Sequence, residues 1–244
     1  MGSLPTVTKN LLIINVLMFL GTYVAGLYGI SLDEYLGLRF VLSDRFNAAQ
    51  LITYMFMHGG FIHLFFNMFA VWMFGRILEQ VWGPQRFLFY YMVCGIGAGL
   101  IQEIVVGVEY ASLTAGLPAD VVDTVREEGG QILRNGQNYV DSSLAHLNYT
   151  LNGITVGASG AVYAILLGFG MLFPNQRMFI IPIPFPIKAK WLILAYIVIE
   201  LWAAFSNNPS DNVAHFAHLG GMLFGFLLIV YWRRNNRRNN MYYG

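Results

Sequence analysis

The chain has 244 residues, 57% hydrophobic and 16% aromatic but only 11% charged, with a mean hydropathy of +0.55. Soluble domains carry about 25% charged residues, so this composition excludes an ordinary soluble enzyme or a soluble domain on one anchor. The net charge of +1 gives no electrostatic footing for nucleic acid or any other polyanionic partner.

A spanning helix needs about 20 apolar residues. On that measure six segments are expected to cross a bilayer, at about 11–30, 59–78, 87–107, 156–173, 189–206 and 213–232. Met1 to Thr8 lack a basic stretch and a small-residue cleavage site, so no removed signal peptide is expected there. Residues 31–57 mix Asp33, Glu34, Asp44 and Arg45 with Tyr35, Leu36, Phe40 and Leu42, a pattern that suits an interfacial, partly embedded loop. Pro84 separates the second and third segments. The lone Cys94 lies in an apolar stretch, so it reads as a small buried hydrophobe and no intrachain disulfide can form. Residues 108–155 form a polar insertion, in which Pro118 followed by Val121, Val122, Val125, Ile132 and Leu133 predicts one amphipathic helix, either a surface lid or spacer or a substrate-gating or docking element. Pro174, Pro182, Pro184 and Pro186 punctuate the loop after the fourth segment, and Pro209 with Asp211 marks the turn before the sixth. No internal repeat is visible, which argues against a transporter built from inverted halves.

Charge sets the orientation. With both termini cytoplasmic, that side holds Lys9, Arg76, Arg86, Arg177, Lys188, Lys190, Arg233, Arg234, Arg237 and Arg238, ten of the fourteen basic residues. The outer side holds Arg39, Arg45, Arg126 and Arg134. This is the positive-inside bias. The expected organisation is an all-α polytopic membrane domain over 1–232, with its insertion on the outer side between the third and fourth helices, and a basic cytoplasmic tail over 233–244.

Orientation then gives depth. The second, fourth and sixth helices all enter from outside, which puts His58, His63 and Asn67, then Ser159, then His215 and His218 in the outer third of the bilayer. Ionisable groups are costly inside a membrane and mark function by default. A serine hydroxyl is a poor nucleophile until a base takes its proton, and His218 can be that base. The negative oxygen of a tetrahedral intermediate needs donors already in place, which His63, Asn67 and the Ser159 backbone N–H could supply. His63 and Asn67 are four apart and share a helix face. Carboxylates near His218 are sparse along the chain: Asp211 is seven positions earlier and Glu200 lies in the fifth helix. The expectation is therefore a Ser–His dyad without a carboxylate, with Glu200 a polar group near the outer cavity. Gly160, Ala164 and Gly168 recur every four residues, as do Ala217, Gly221 and Gly225, and such small-residue faces let helices approach closely. Tyr163, one turn after Ser159, could pack on the imidazole or sit as an interfacial aromatic.

The run His58-Gly59-Gly60-Phe61-Ile62-His63-Leu64-Phe65-Phe66-Asn67 resembles the second-helix motif of the rhomboid intramembrane serine proteases. Gly157-Ala158-Ser159-Gly160 is similar to their nucleophile motif and His218-Leu219-Gly220-Gly221 to their last-helix histidine motif. The three occur in the family's order across roughly 10–232, the extent of the six segments. The resemblance implies a six-helix bundle that cleaves single-span membrane proteins within or near the lipid bilayer, without cofactor or metal. Ser159 would be the nucleophile and His218 the base, with His63, Asn67 and the Ser159 N–H the oxyanion hole. His58 would shape a water-accessible cavity and Tyr163 would stack on His218. Two features depart from the pattern: Ala49 and Gln50 stand where many members carry a Trp-Arg pair, and the insertion is long. The expected location is a bacterial plasma membrane, with the active site opening to the outer side. Two other readings compete. One is a catalytically silent member of the fold that binds membrane clients. The other is a proton-linked transporter using histidine and Glu200 as a relay. A metal site is not expected, because no HExxH occurs and no Asp or Glu lies within either histidine cluster.

Overall fold

The computed structural model describes residues 3–179, 185–206 and 213–240, with side chains through 235. Pro182, Pro184, Pro209 and Asp211 lie outside the described residues, as do the side chains of Arg237 and Arg238.

Helix α1 runs Thr6–Leu27. It begins earlier than apolar length alone predicts because a distant carboxylate finishes its first turn. Glu79 accepts from Val7 N at 2.9 Å and from Thr8 N and Thr8 Oγ1 at 2.7 Å each. The first N–H groups of a helix have no internal partner, and an anion is favourable at that end. Glu79 is 3% exposed, so Glu79→Ala would bury these donors unsatisfied. We expect it to destabilise the fold by about 2–3 kcal/mol, read as a lowered Tm in detergent with no change in KM.

The first loop carries the short helices α2 (Asp33–Leu36) and α3 (Gln50–Thr53), then a 3-10 turn over Tyr54–Phe56. Gln50, at one of the two positions that depart from the family pattern, is the buried organiser of this loop. Its side chain accepts from Arg39 N at 3.3 Å and donates to Tyr35 O at 3.2 Å and Arg45 O at 3.1 Å. The second apolar segment forms α4 (Phe61–Ala70), a π turn over Val71–Gly75 and α5 (Arg76–Trp82). Gly83, at φ 80°, makes the corner before Pro84 opens α6 (Pro84–Thr114).

Helix α6 extends past the predicted boundary, because its polar end is covered by the insertion. There the sequence predicts one helix and the structure has two, α7 (Ala119–Arg134) and α8 (Ser142–Asn152). Asp141 caps α8, accepting from Ser143 N and Leu144 N at 2.9 Å. Val122, Val125, Leu147 and Leu151 close a second small core on Phe40 of the first loop. The insertion is thus a packed unit with its own small core. Buried Arg39 fastens it, donating to Asn152 O at 3.0 Å and to Glu34 at 2.6 Å. Burial lowers the pKa of this guanidinium while the Glu34 carboxylate opposes the shift.

Helix α9 (Ser159–Leu172) is apolar on every side, and all but four of its residues are buried. Such a helix belongs in the middle of a bundle, and α6, α11 (His215–Asn240), α10 (Ala189–Phe205), α4 and α5 surround it. Between α9 and α10 lies a two-stranded antiparallel ribbon, β1 (Arg177–Met178) and β2 (Ile187–Lys188), a small exception to the all-α expectation. Helix α11 continues through Arg233 and Arg234 to Asn240, so the basic tail begins as helix. Arg233 donates to Met171 O at 2.7 Å in the last turn of α9. Cys94 is buried and unpaired.

Among the described residues, four stretches, against the six expected, are long and apolar enough to cross a membrane: Thr6–Leu27, Phe61–Trp82, Pro84–Thr114 and His215–Asn235. Exposed Leu17, Leu20, Phe65, Phe66, Val198 and Trp202 leave apolar surface on α1, α4 and α10. A soluble monomer rarely shows so much, and lipid is its natural solvent. The chain is a multi-pass membrane protein.

Candidate active site

Three helix ends meet at one place because small residues allow it. A Cβ on Gly221 of α11 would fall on the carbonyl oxygen of Gly160 in α9. One on Gly225 would stand 3.1 Å from the Ala164 Cβ, and one on Gly160 3.4 Å from Ala217 O. The predicted seam between these helices therefore forms at Gly160 and Ala164. Gly168 leaves it and faces Leu78, Trp82 and Tyr90 instead.

At the mouth of the seam, Ser159 Oγ lies 2.8 Å from His218 Nε2. The His218 ring stacks on Tyr163 with centroids 4.2 Å apart and planes 11° from parallel. This resolves the two readings of Tyr163 in favour of contact with the imidazole. Ser159 is the first residue of α9, so its backbone N–H belongs to the unpartnered first turn, at the positive end of the helix.

The chain leading into Ser159 is held by the first loop and the turn that follows it. Leu38 and Thr155 exchange two backbone hydrogen bonds of 2.9 Å, and Gly157 N donates to Tyr54 O at 3.0 Å. Gly157 has φ 135°, which a side chain would strain. A Cβ there would also stand 2.9 Å from His63 Nε2 and 3.4 Å from Ser159 Oγ. The space left by glycine thus borders both the hydroxyl and a ring nitrogen of His63. Asn67 lies one turn below His63 on α4 and donates one amide hydrogen to His63 O at 3.0 Å, leaving the second for a ligand. His58 is buried, with its ring edge-on to His63 at 5.1 Å. Neither of its ring nitrogens has a hydrogen-bond partner among the described residues. A largely apolar cavity of about 1740 Å³ is lined in part by His63, Asn67, Ser159, Tyr163 and His218. The expected residues are therefore brought together, with His58 behind His63 and outside the cavity lining.

One expectation is corrected. The pairing of Ser159 and His218 is not free of a carboxylate. Glu200 Oε2 lies 2.9 Å from His218 Nδ1 and 2.7 Å from His215 Nδ1, and Tyr163 Oη donates to Oε1. Glu200 is remote from the histidines in sequence, but α10 and α11 run side by side. It is also the only acidic residue in α10, and an isolated carboxylate in an apolar helix was the available signal. The same fact removes the ground on which a metal was set aside, since one ligand atom from each of Glu200, His215 and His218 falls within 4.8 Å of the others. In the arrangement present, both Nδ1 atoms face a single carboxylate oxygen, as hydrogen-bond donors do.

Comparison with known proteins adds a family-level finding. The model of the Rhomboid domain matches residues 45–122 and 132–235. The chain is 28% identical over 213 residues, 76% of its length, to a mitochondrial rhomboid protein of Schizosaccharomyces pombe. It is 28% identical over 185 residues, 74% of its length, to "Rhomboid-like protease 5" of Toxoplasma gondii. It is 26% identical over 179 residues, 73% of its length, to "Rhomboid protein 1, mitochondrial" of Saccharomyces cerevisiae. The aligned parts are 52%, 16% and 40% of those proteins, so the chain spans about half of their length or less.

Proposed function

The chain belongs to the rhomboid family, and from that premise we propose that it is an intramembrane serine protease that hydrolyses peptide bonds of single-span membrane proteins. The observation that carries this reading is the 2.8 Å approach of Ser159 Oγ to His218 Nε2 at the wall of a largely apolar cavity. Relatives named as proteases support the reaction class.

In this reading α1, α4 with α5, α6, α9, α10 and α11 cross the bilayer. Both termini are cytoplasmic and the cavity opens to the outer side of a plasma membrane. At 14 residues, α9 is only about 21 Å long against a hydrocarbon core of about 30 Å. Its first residue, Ser159, would then sit below the outer surface, where water can reach it only through the cavity.

The chemistry follows from the contacts. His218 Nε2 takes the Ser159 hydroxyl proton as Oγ bonds to the scissile carbonyl carbon. The former carbonyl oxygen becomes negative in the space beside Gly157, toward the Ser159 N–H, His63 and Asn67. His218 then gives the proton to the leaving nitrogen, and the C–N bond breaks. Water, deprotonated by the same ring, cleaves the acyl ester and returns the serine.

The test is labelling of the purified full chain by a fluorophosphonate, with the modified peptide located by mass spectrometry and single-span substrate cleavage followed in parallel. The expected result is one adduct, on Ser159, and a cut substrate. A folded protein that neither labels nor cleaves any of several substrates would overturn this in favour of a client-binding member of the fold. Asn67→Ala should lower kcat by about 10²-fold with KM little changed, because a donor that matters only to the developing oxyanion acts on the transition state. An unchanged kcat would remove Asn67 from that role.

A further inference from the structure

We propose that Glu200 is a positioning residue that completes Ser159 and His218 into a Ser–His–Glu arrangement, fixing the tautomer and the plane of the His218 ring. The proposal rests on the reading of Ser159 as nucleophile. It is carried by what faces the two ends of one imidazole. Nε2 lies 2.8 Å from Ser159 Oγ and Nδ1 lies 2.9 Å from Glu200 Oε2. An ionised carboxylate only accepts, so Nδ1 carries the hydrogen and Nε2 keeps its lone pair for the serine proton. With the opposite tautomer the ring could not act as the base.

The carboxylate itself is well held. Glu200 is 4% exposed, and a buried charge is tolerable only when donors satisfy it. Here His218 and His215 donate to Oε2 and Tyr163 to Oε1. Tyr163 does two things at once, since its ring lies flat on His218 while its hydroxyl reaches Glu200. Ring plane and carboxylate are thus fixed by the same side chain. When His218 accepts the serine proton, the imidazolium stands directly against this negative charge and is stabilised by it. The proton stays on His218, and Glu200 remains a carboxylate throughout.

A carboxylate that only tied α10 to α11 would affect stability, not the reactivity of Ser159. The discriminating experiment compares Glu200→Gln, Glu200→Asp and Ser159→Ala in the full chain, reading kcat and KM for a single-span substrate and the fluorophosphonate labelling rate. Glu200→Gln can present an amide N–H to Nδ1 and favour the wrong tautomer. It should keep KM and lose about 10²- to 10⁴-fold in both kcat and labelling rate, and Glu200→Asp should recover most of that loss. Wild-type kcat and labelling in Glu200→Gln, with Ser159→Ala silent, would overturn the role of Glu200 and leave the nucleophile standing. Labelling that survives Ser159→Ala would overturn the nucleophile instead. If Glu200→Gln does not fold, the wild type carries the test by proton NMR. A strongly downfield Nδ1–H resonance, lost in His218→Ala, is expected, and its absence overturns the proposal. Incubation with EDTA should leave kcat unchanged. A loss restored by zinc would make Glu200, His215 and His218 metal ligands and overturn the hydrogen-bonding role.

Discussion

Ser159→Ala and His218→Ala are each expected to lower kcat by about 10⁶-fold, and the double substitution to cost no more than either alone. The reason is that the two side chains act as one unit across the 2.8 Å contact. Without His218 the hydroxyl proton has nowhere to go, and without Ser159 the imidazole has nothing to activate. Any remaining rate would come from the donors around Gly157 acting on attack by water. Single-turnover cleavage by the three variants in proteoliposomes measures this directly. Multiplicative losses in the double variant would mean that the two residues work independently, and would overturn the proposed pair.

Gly221→Val should be nearly as damaging although Gly221 touches no reacting group. Its Cβ would fall on the Gly160 carbonyl oxygen, which is backbone and cannot step aside. Helices α9 and α11 must then separate by an ångström or more, carrying Ser159 away from His218. A misplacement of about 1 Å can cost 10²-fold in rate, and overpacking a tight seam adds roughly 1–3 kcal/mol of destabilisation. We expect kcat to fall by more than 10²-fold together with a lower Tm. Full activity in Gly221→Val would mean that the seam does not set the serine–histidine distance.

What the sequence made legible follows the ranges over which its physics acts. Apolar length located the four stretches long enough to span a membrane, and small residues at a spacing of four identified the seam that joins Ser159 to His218. The pairing of His63 with Asn67 was readable because a helix repeats. The start of α1 was missed because it is set by Glu79, 71 positions away from Thr8. Helix α8 was missed because its signal is a single Asp141 cap before a weakly apolar stretch. The contact of Glu200 with His218 depends on how α10 and α11 lie against each other, which no local pattern encodes. Gln50 was seen only as a departure from a family pattern. Its three hydrogen bonds depend on the folded path of the first loop.

The seam between α9 and α11 also gives the protein a history during its synthesis. His218 lies 59 residues beyond Ser159, on a helix that leaves the ribosome after α9. At about 5–20 residues per second, the nucleophile waits roughly 3–12 s for its base. Until α11 docks against Gly160, the nascent chain lacks the His218 ring beside the Ser159 hydroxyl. If the proposed protease reading holds, newly inserted membrane proteins nearby meet only an inert precursor until then. On the proposed reading, the docking of α11 on α9 and the switching on of the chemistry become the same event.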